Sequence, residues 1–562
     1  MTAGEPIPPD ERAVRDQLER ILASARFSAA EGASRLLRFL VEGALAGRAH
    51  QLKEYTLAVE VFGRDPSFDS KTNPAVRVEA SRLRLRLERY YLTLGREDPV
   101  LIELPRGTYV PTFLPNADVL HLGDDVAEAR AVHEGVVAMD SLALRPSRGP
   151  SIAVLPLENL GDGADAAFAD GLTIEIVTAL SRFREFHVLG RSTVSRHLGT
   201  RDATQLHREL GVDYVLTGNV RRAEHRLRVH AELVSGATGA ILWAKAYERE
   251  LDVDAIFEIQ DEIANHVVAT VAQPHGVIAR PGAEAARRKP PERLDAYDCL
   301  LLFYDYGFHR SPETHRELRA ALEEEVRQDP GVASLWAALS MVHNDTWRFG
   351  FNIEDGREDA RDEAWRAARK AVELDPLDAL GYHALFLAHF ARGDLKAFRE
   401  AANRATELNP NNTDILADYG LHLTFCGDWV LGRLFLKLAL SLNPEPPDWY
   451  WFPFFIWHFE HGEYDAALDM ALRCQNEEFF WTHGMHALAF TALGMRGEAA
   501  TAVSRLLALY PGFPGKAREE LGRWGDAERT ERMLGLLRQA GLPIPLEDRG
   551  SGAAIRRAPH GR

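Results

Sequence analysis

Leu374-Asp375-Pro376, Leu408-Asn409-Pro410 and Leu442-Asn443-Pro444 each close an apolar, alanine-rich segment, and their prolines are 34 residues apart, then 34 again. Tyr510-Pro511 places the next proline 67 residues on, nearly two more periods with a degenerate unit between. Upstream, Asp329-Pro330 precedes Pro376 by 46, one period plus an insertion placed around residues 347–358. A second phase runs through Gly393, Gly427, Gly462 and Gly494, spaced 34, 35 and 32. Proline stops a helix because it cannot continue the hydrogen bonding. Glycine ends one by accepting the left-handed turn conformation. Two stop signals per period mean two helices per unit, with an apolar face that one pair cannot cover alone. Neighbouring pairs must therefore stack into a solenoid with a groove.

This period, with this glycine and proline placement, resembles the tetratricopeptide repeat family, and the array is expected over residues 290–545. Such a resemblance implies a protein or peptide partner in the groove. Trp449, Trp451, Phe455 and Trp457, in a dense aromatic segment with Tyr450, Phe454 and Phe459, are the candidates for a partner-binding wall. The same rings could instead fill the core between repeats, where large aromatics are usually buried. His458, His461, His483 and His486 lack the cysteines or clustered carboxylates of a metal centre, so no metal site is assigned. A capping helix is expected over 524–541 and a disordered tail over 546–562.

Residues 1–113 read differently. Helices are expected over 32–45 and 53–62, the second stopped by Gly63. Asn73-Pro74 then supplies an N-cap with proline at the first helical position. On the helix that follows, Val76, Ala80, Leu83, Leu87 and Tyr90 form one apolar stripe. Residues 76–91 hold five arginines (Arg77, Arg82, Arg84, Arg86 and Arg89) against Glu79 and Glu88. Two short β-runs around Pro105-Arg106-Gly107 read as a hairpin. Three helices and a hairpin predict a winged-helix head of α+β class. Its third helix would enter the major groove of double-stranded DNA, the hairpin touching the backbone or minor groove. The arginines would contact bases or phosphates, with Lys53, Ser81, Arg106, Thr108 and Tyr109 as further DNA-binding candidates. An arginine-rich helix can also be a solvated face, so the head could contact protein instead.

Residues 114–150 lack periodicity and read as a linker. Over 151–276 the pattern is a buried strand, a helix, a short strand, a short helix, three β-runs and a final amphipathic helix. It predicts an α/β domain with a mixed sheet. Ile152-Ala-Val-Leu-Pro, Phe168-Ala-Asp-Gly-Leu, Leu216-Thr-Gly-Asn-Val-Arg-Arg and Leu242-Trp-Ala-Lys-Ala-Tyr-Glu-Arg resemble a module related to the N-terminal domain of TolB. That module links a signalling head to tetratricopeptide repeats in bacterial proteins of the adenylate-cyclase-like and CadC-like groups. The head, with Val61-Phe-Gly-Arg and Ile102-Glu-Leu-Pro-Arg-Gly-Thr-Tyr-Val-Pro, resembles their winged-helix variant. Cyclase members of the group carry a catalytic domain ahead of this module; here the short head occupies that place. CadC-like members usually carry a membrane span between head and sensor, and 114–150 contain none.

Composition limits the alternatives. The net charge of −17 over 562 residues argues against whole-surface nucleic-acid binding. It is unevenly spread: residues 1–113 hold 17 Lys/Arg and 16 Asp/Glu. No apolar run approaches the length of a membrane span, and no secretion signal opens the chain. Cys299, Cys426 and Cys474 lie far apart, without zinc or disulfide spacing. Gly161-Asp-Gly-Ala-Asp165 lacks the closing glutamate of a calcium loop and reads as a turn into a helix. No catalytic residue or cofactor is assigned. The expectation is a cytoplasmic bacterial transcriptional regulator, with a protein-interaction scaffold and a cyclase-type enzyme as alternatives. A homodimer would suit two DNA half-sites, though no heptad seam requires one.

Overall fold

The computed structural model describes residues 9–28, 30–63, 75–92, 94–95, 98–105, 108–115, 149–161, 166–189, 193–194, 202–223, 226–250, 256–274, 276–353, 357–443, 446–522 and 527–545. They fall into two units: the N-terminal head, and a body that joins 145–251 to the residues from 256 onward.

In the head, α1 (Glu11–Ala23) begins where Asp10 accepts the Ala13 N–H at 2.7 Å, an N-cap. It is followed by α2 (Ala25–Ser28), α3 (Glu31–Leu45), α4 (Glu54–Glu60) and α5 (Ala75–Leu92). Strand β1 (Val100–Glu103) then pairs antiparallel with β2 (Thr112–Pro115). The stripe of Val76, Ala80, Leu83, Leu87 and Tyr90 is buried, none of it more than 3% exposed. Sequence reasoning places the first helix of the head at residue 32 and misses α1, although Val14, Leu18 and Ile21 recur there at helical spacing and are buried. Two phenols lock this unit. Asp98 Oδ2 accepts from the Tyr90 hydroxyl and from Gln17 Nε2, both at 2.5 Å, joining α1, α5 and the approach to β1. The Tyr91 hydroxyl donates to Val100 O at 3.2 Å and accepts from Ile102 N at 2.8 Å. The Asn73-Pro74 start, the Arg106-Gly107 turn and most of the expected linker lie outside the described residues.

The body opens with β3 (Ser151–Val154), β4 (Glu158–Asn159), α6 (Ala166–Leu180), β5 (His187–Val188) and α7 (Ala203–Leu210). It continues with β6 (Tyr214–Ala223), β7 (Arg226–Ser235), β8 (Ile241–Glu250) and α8 (Ile256–Ala272). The sheet runs β5-β3-β6-β7-β8, with β4 beside β6. Strand β3 is parallel to β5 and β6, whereas β6, β7 and β8 are antiparallel, so the sheet is mixed. Alternate residues of a strand face opposite sides. Ile152 and Val154 accordingly meet α6 and α8 through Leu172, Ile176, Ile263 and Val267, while Ala153 and Leu155 meet Leu206 of α7. Coverage on both faces explains why this strand reads as an unbroken apolar run. Residues 162–165 of the acidic loop and 224–225 of the first hairpin turn lie outside the described residues.

After α9 (Ala279–Arg287), a helix the sequence reading passed over, the described residues form seven helix pairs. They are α10 (Ala296–Tyr306) with α11 (Pro312–Gln328), α12 (Ala333–Phe349) with α13 (Arg357–Leu374), and α14 (Ala379–Ala391) with α15 (Leu395–Leu408). Then come α16 (Thr413–Phe425) with α17 (Trp429–Leu442), α18 (Phe452–Glu460) with α19 (Tyr464–Leu472), and α20 (Phe480–Ala492) with α21 (Arg496–Leu509). The last pair is α22 (Phe513–Gly522) with α23 (Ala527–Gln539), so the expected cap is the second helix of a complete pair. Gly393, Gly427, Gly462 and Gly494 sit between paired helices with φ from 72° to 90°, the left-handed region that their sequence phase implies.

The Asp-Pro and Asn-Pro loops do more than end helices. Arg184, after α6, pairs with Asp375 at 2.9 Å, and Asn409 Nδ2 donates to Arg182 O at 3.3 Å. Gln273, at the end of α8 and 1% exposed, accepts from Thr413 N at 3.0 Å and Thr413 Oγ1 at 3.1 Å, and donates to Asn411 O. The α/β module is thus hydrogen-bonded along the loops that give the repeats their period. Two carboxyls lie at this seam, Glu185 half-buried and Asp378 buried. Burial and the nearby Asp378 charge push Glu185 up to about 7, where Tyr304 donates to it at 3.3 Å. Burial likewise raises Asp378 to about 6.

Gln273→Leu leaves the Thr413 donors and the Asn411 carbonyl without their partner. It should destabilise the body by roughly 2 kcal/mol, read as a lower urea midpoint with unchanged slope. Raised carboxyl pKa values mean that the folded state holds more protons than the unfolded state. The contribution of these two groups is therefore fully present near pH 4 and is lost as pH rises through about 7. Glu185→Gln keeps the acceptor for Tyr304, and should match the parent chain at pH 4 but unfold at higher urea at pH 8. Parallel urea-against-pH curves for the two proteins would refute that assignment.

Candidate functional site

Two regions carry the candidate residues. On the head, Lys53 at the start of α4 and Arg77 on α5 are exposed, and Arg77 lies 3.1 Å from Glu54. The half-buried Tyr109 phenol has its pKa raised by burial, with Glu54, Arg77 and Arg84 among the charges acting on it, so the base of α5 and the hairpin share one neighbourhood. Arg84 departs from its expected role as a DNA contact. Its Nε donates to Leu104 O at 2.8 Å, and one terminal nitrogen donates to Pro105 O at 3.2 Å and Thr108 O at 2.9 Å. A planar five-donor fork suits this task, and Arg84 clamps the two ends of the hairpin turn to α5. Thr108 Oγ1 accepts from Val110 N at 3.0 Å within the same turn. Arg86 is half-buried, its guanidinium 5.7 Å from the Phe27 ring centre. The side chains of Ser81, Arg82 and Arg89, and residue Arg106, lie outside what the structure describes.

The second region is a cavity of about 150 Å³ in the repeat array. Apart from Pro274, its lining comes from the first helices of the pairs and their adjoining loops. On its walls Asp345 accepts from the Tyr306 hydroxyl at 3.0 Å and lies 3.1 Å from Arg310. His383 Nε2 is 2.8 Å from Asp418 Oδ2, and the Tyr450 hydroxyl donates to Asp414 at 2.6 Å. Burial raises the Asp418 carboxyl, but the His383 hydrogen bond and the adjoining His383, His422 and Arg348 groups bring it below its ordinary value. Burial pushes His422 down to about 4 and the Cys474 thiol up to about 12.

The aromatic candidates separate. Trp449 lines the cavity. Phe455 is fully buried among Phe459, Phe480 and Trp481, which removes it from any partner-binding surface. Trp451 packs under Arg473 at 4.6 Å, and Trp457 under Arg433 at 4.6 Å and against His461 at 3.9 Å. The four histidines have local partners: His458 with Glu463, His461 with Trp457 O, His483 with Glu477 O and His486 with Ala471 O. Sequence reasoning passed over Asn344, Asp345, His383 and Asp418. The available signal was a polar residue on an otherwise apolar helix, repeated in successive first helices. Among the described residues no helix is long and apolar enough to cross a membrane.

Residues 148–266 match the family model described as the HilA/YgeH-like transcriptional regulator, second domain. A protein of Rhizobium meliloti (strain 1021) named "Putative adenylate cyclase 3" is 34% identical over 243 residues, covering 42% of this chain and 40% of that protein. The chain therefore spans two fifths of this relative's length. Among solved structures, the APC/C hetero-tetramer Cut9-Hcn1 aligns with 18% identity over 50% of this chain and 48% of that one, at a TM-score of 0.32. Yeast Tom70 aligns with 14% identity over 92% and 84%, at 0.28.

Arg84→Leu removes three hydrogen bonds to hairpin carbonyls. It should destabilise the head by roughly 2 kcal/mol, with faster amide exchange confined to 100–115. Unchanged exchange there would show that the clamp does not hold the hairpin.

Proposed function

We propose that the chain is a transcriptional regulator whose head binds double-stranded DNA, whose α/β module relays or dimerises, and whose repeats bind a protein or peptide. The match of residues 148–266 to the second domain of a transcriptional regulator family carries this reading. The head supports it with a local excess of arginine on α5 in a chain whose net charge is −17, and with a hairpin clamped to that helix by Arg84. Its helices and hairpin fit a winged helix, with α5 as the groove-entering helix. Lys53, Arg77 and Tyr109 are then the DNA-contacting residues among those described, and Ser81, Arg82, Arg89 and Arg106 are carried with them from the sequence as DNA-binding candidates; Arg84 and Thr108 position the hairpin. The groove of the array, with Trp449 in its wall, is the partner site.

The second reading is an interaction scaffold whose head contacts protein, favoured by the pairing of Arg77 with Glu54. The cyclase name belongs to a relative of which this chain covers two fifths, and we propose no cyclase activity.

Fluorescence anisotropy of the full chain on the DNA upstream of its own gene, over a salt series, tests the leading reading. Tighter binding than to scrambled DNA is expected. Lys53→Ala with Arg77→Ala should weaken it and flatten the salt dependence by about one unit per lost phosphate contact. No retention at low salt would put the scaffold reading first.

A further inference from the structure

Two buried side-chain atoms lining the cavity in the repeat array, Asn344 Oδ1 and His383 Nδ1, have no hydrogen-bond partner within the fold. Asn344 is 4% exposed and its Oδ1 accepts no hydrogen bond. His383 is 3% exposed; Nε2 meets Asp418, and Nδ1 has no partner. In the Nε2–H tautomer that the Asp418 contact favours, Nδ1 is an acceptor, as the amide oxygen is. Buried acceptors in native proteins are nearly always matched by a donor from protein, water or ligand. Both atoms belong to residues lining the same cavity.

Charge and walls restrict what could supply those donors. The lining carries five carboxylates (Asp345, Asp414, Asp418, Asp448 and Glu520) against the guanidiniums of Arg310 and Arg348. The cavity already holds guanidiniums on aromatic rings: Arg310 lies 5.4 Å from the centres of both Tyr306 and Phe349, and Arg348 lies 4.9 Å from Phe349. Phe303, Trp347, Phe390, Trp449 and Phe479 also line it, and ring faces attract cations most strongly where water is excluded.

We propose that this cavity binds a small organic cation, a guanidinium or primary ammonium group on a short apolar stem. Its N–H groups donate to Asn344 Oδ1 and His383 Nδ1, and the rings enclose the stem. A volume of about 150 Å³ is that of an engineered cavity known to take up benzene, which sets the enclosed part of the guest at roughly six to eight heavy atoms. The cation is either a free amine or an arginine or lysine side chain of a peptide, and the recognising chemistry is the same. The inference goes beyond partner binding by the array and does not depend on DNA binding by the head.

Isothermal titration calorimetry of the full chain tests it with butylguanidinium, pentanol and pentanoate as size-matched probes, and with an end-blocked Gly-Arg-Gly peptide. Butylguanidinium should bind at least about tenfold more tightly than pentanol or pentanoate. Asn344→Leu should weaken cation binding about tenfold and Asn344→Asp should tighten it, with unchanged helical circular dichroism. Tighter binding of the peptide identifies a side chain as the source; tighter binding of butylguanidinium identifies a free amine; either supports the site. The proposal is overturned if pentanol or pentanoate binds as well as the cation, or if neither cation gives heat. A folded Asn344→Asp chain with unaltered cation affinity overturns it too. Anisotropy on DNA, measured in parallel, keeps that result separate from the reading of the head.

Discussion

Helices in the body can stack only as closely as their contact residues allow, and in the array those residues are small. Gly420 on α16 and Gly432 on α17 face each other so closely that a Cβ on either would lie 2.7 Å from the other's carbonyl oxygen. Ala364, Ala368 and Ala371 on α13, Ala384 and Ala388 on α14, and Ala402 and Ala405 on α15 are all fully buried. Such contacts set short interhelical distances, and interiors packed to crystal density tolerate little change in volume. The spacing of first helices, and with it the width of the cavity between them, follows from this constraint.

The same spacing lines up the loops that end each second helix. Asp375 and Asn409 recur because proline must follow a helix that stops, yet their side chains reach Arg184 and the Arg182 carbonyl of the α/β module. A rigid stack presents them in a row, so one module can bind several repeats at once. Gln273 shows how exacting that seam is, since both ends of one buried amide are satisfied by Asn411 and Thr413, two residues apart where the loop enters α16. The array and the α/β module accordingly form one compact unit.

Legibility differed with the range of the interactions involved. The apolar stripe of α5, the unbroken strand at 151–154 and the glycine turns are set by neighbours a few residues away, and periodicity reveals them. Helix α1 carries an equally regular pattern in Val14, Leu18 and Ile21 and was legible by the same rule. Arg84 could not be told from Arg77 by spacing, since only the return of the hairpin places three carbonyls within its reach. Phe455 likewise sits in an aromatic run where every ring looks equivalent, and only the packing of α20 and its neighbours separates the buried from the half-buried.

The sequence alone determined that the C-terminal half is a stack of helix pairs, that a mixed α/β module precedes it, and that the head concentrates arginine on one helix. These follow from local stop signals, from periodicity and from charge, which need no partner distant in the chain. Tertiary structure alone decided which arginine binds the hairpin and which loops hold the α/β module. It also decided that Asn344, His383 and Asp418 share a cavity. Those residues are far apart along the chain and lie on three successive first helices. They converge because stacking brings equivalent faces of successive repeats together, and no local pattern records a contact made by stacking.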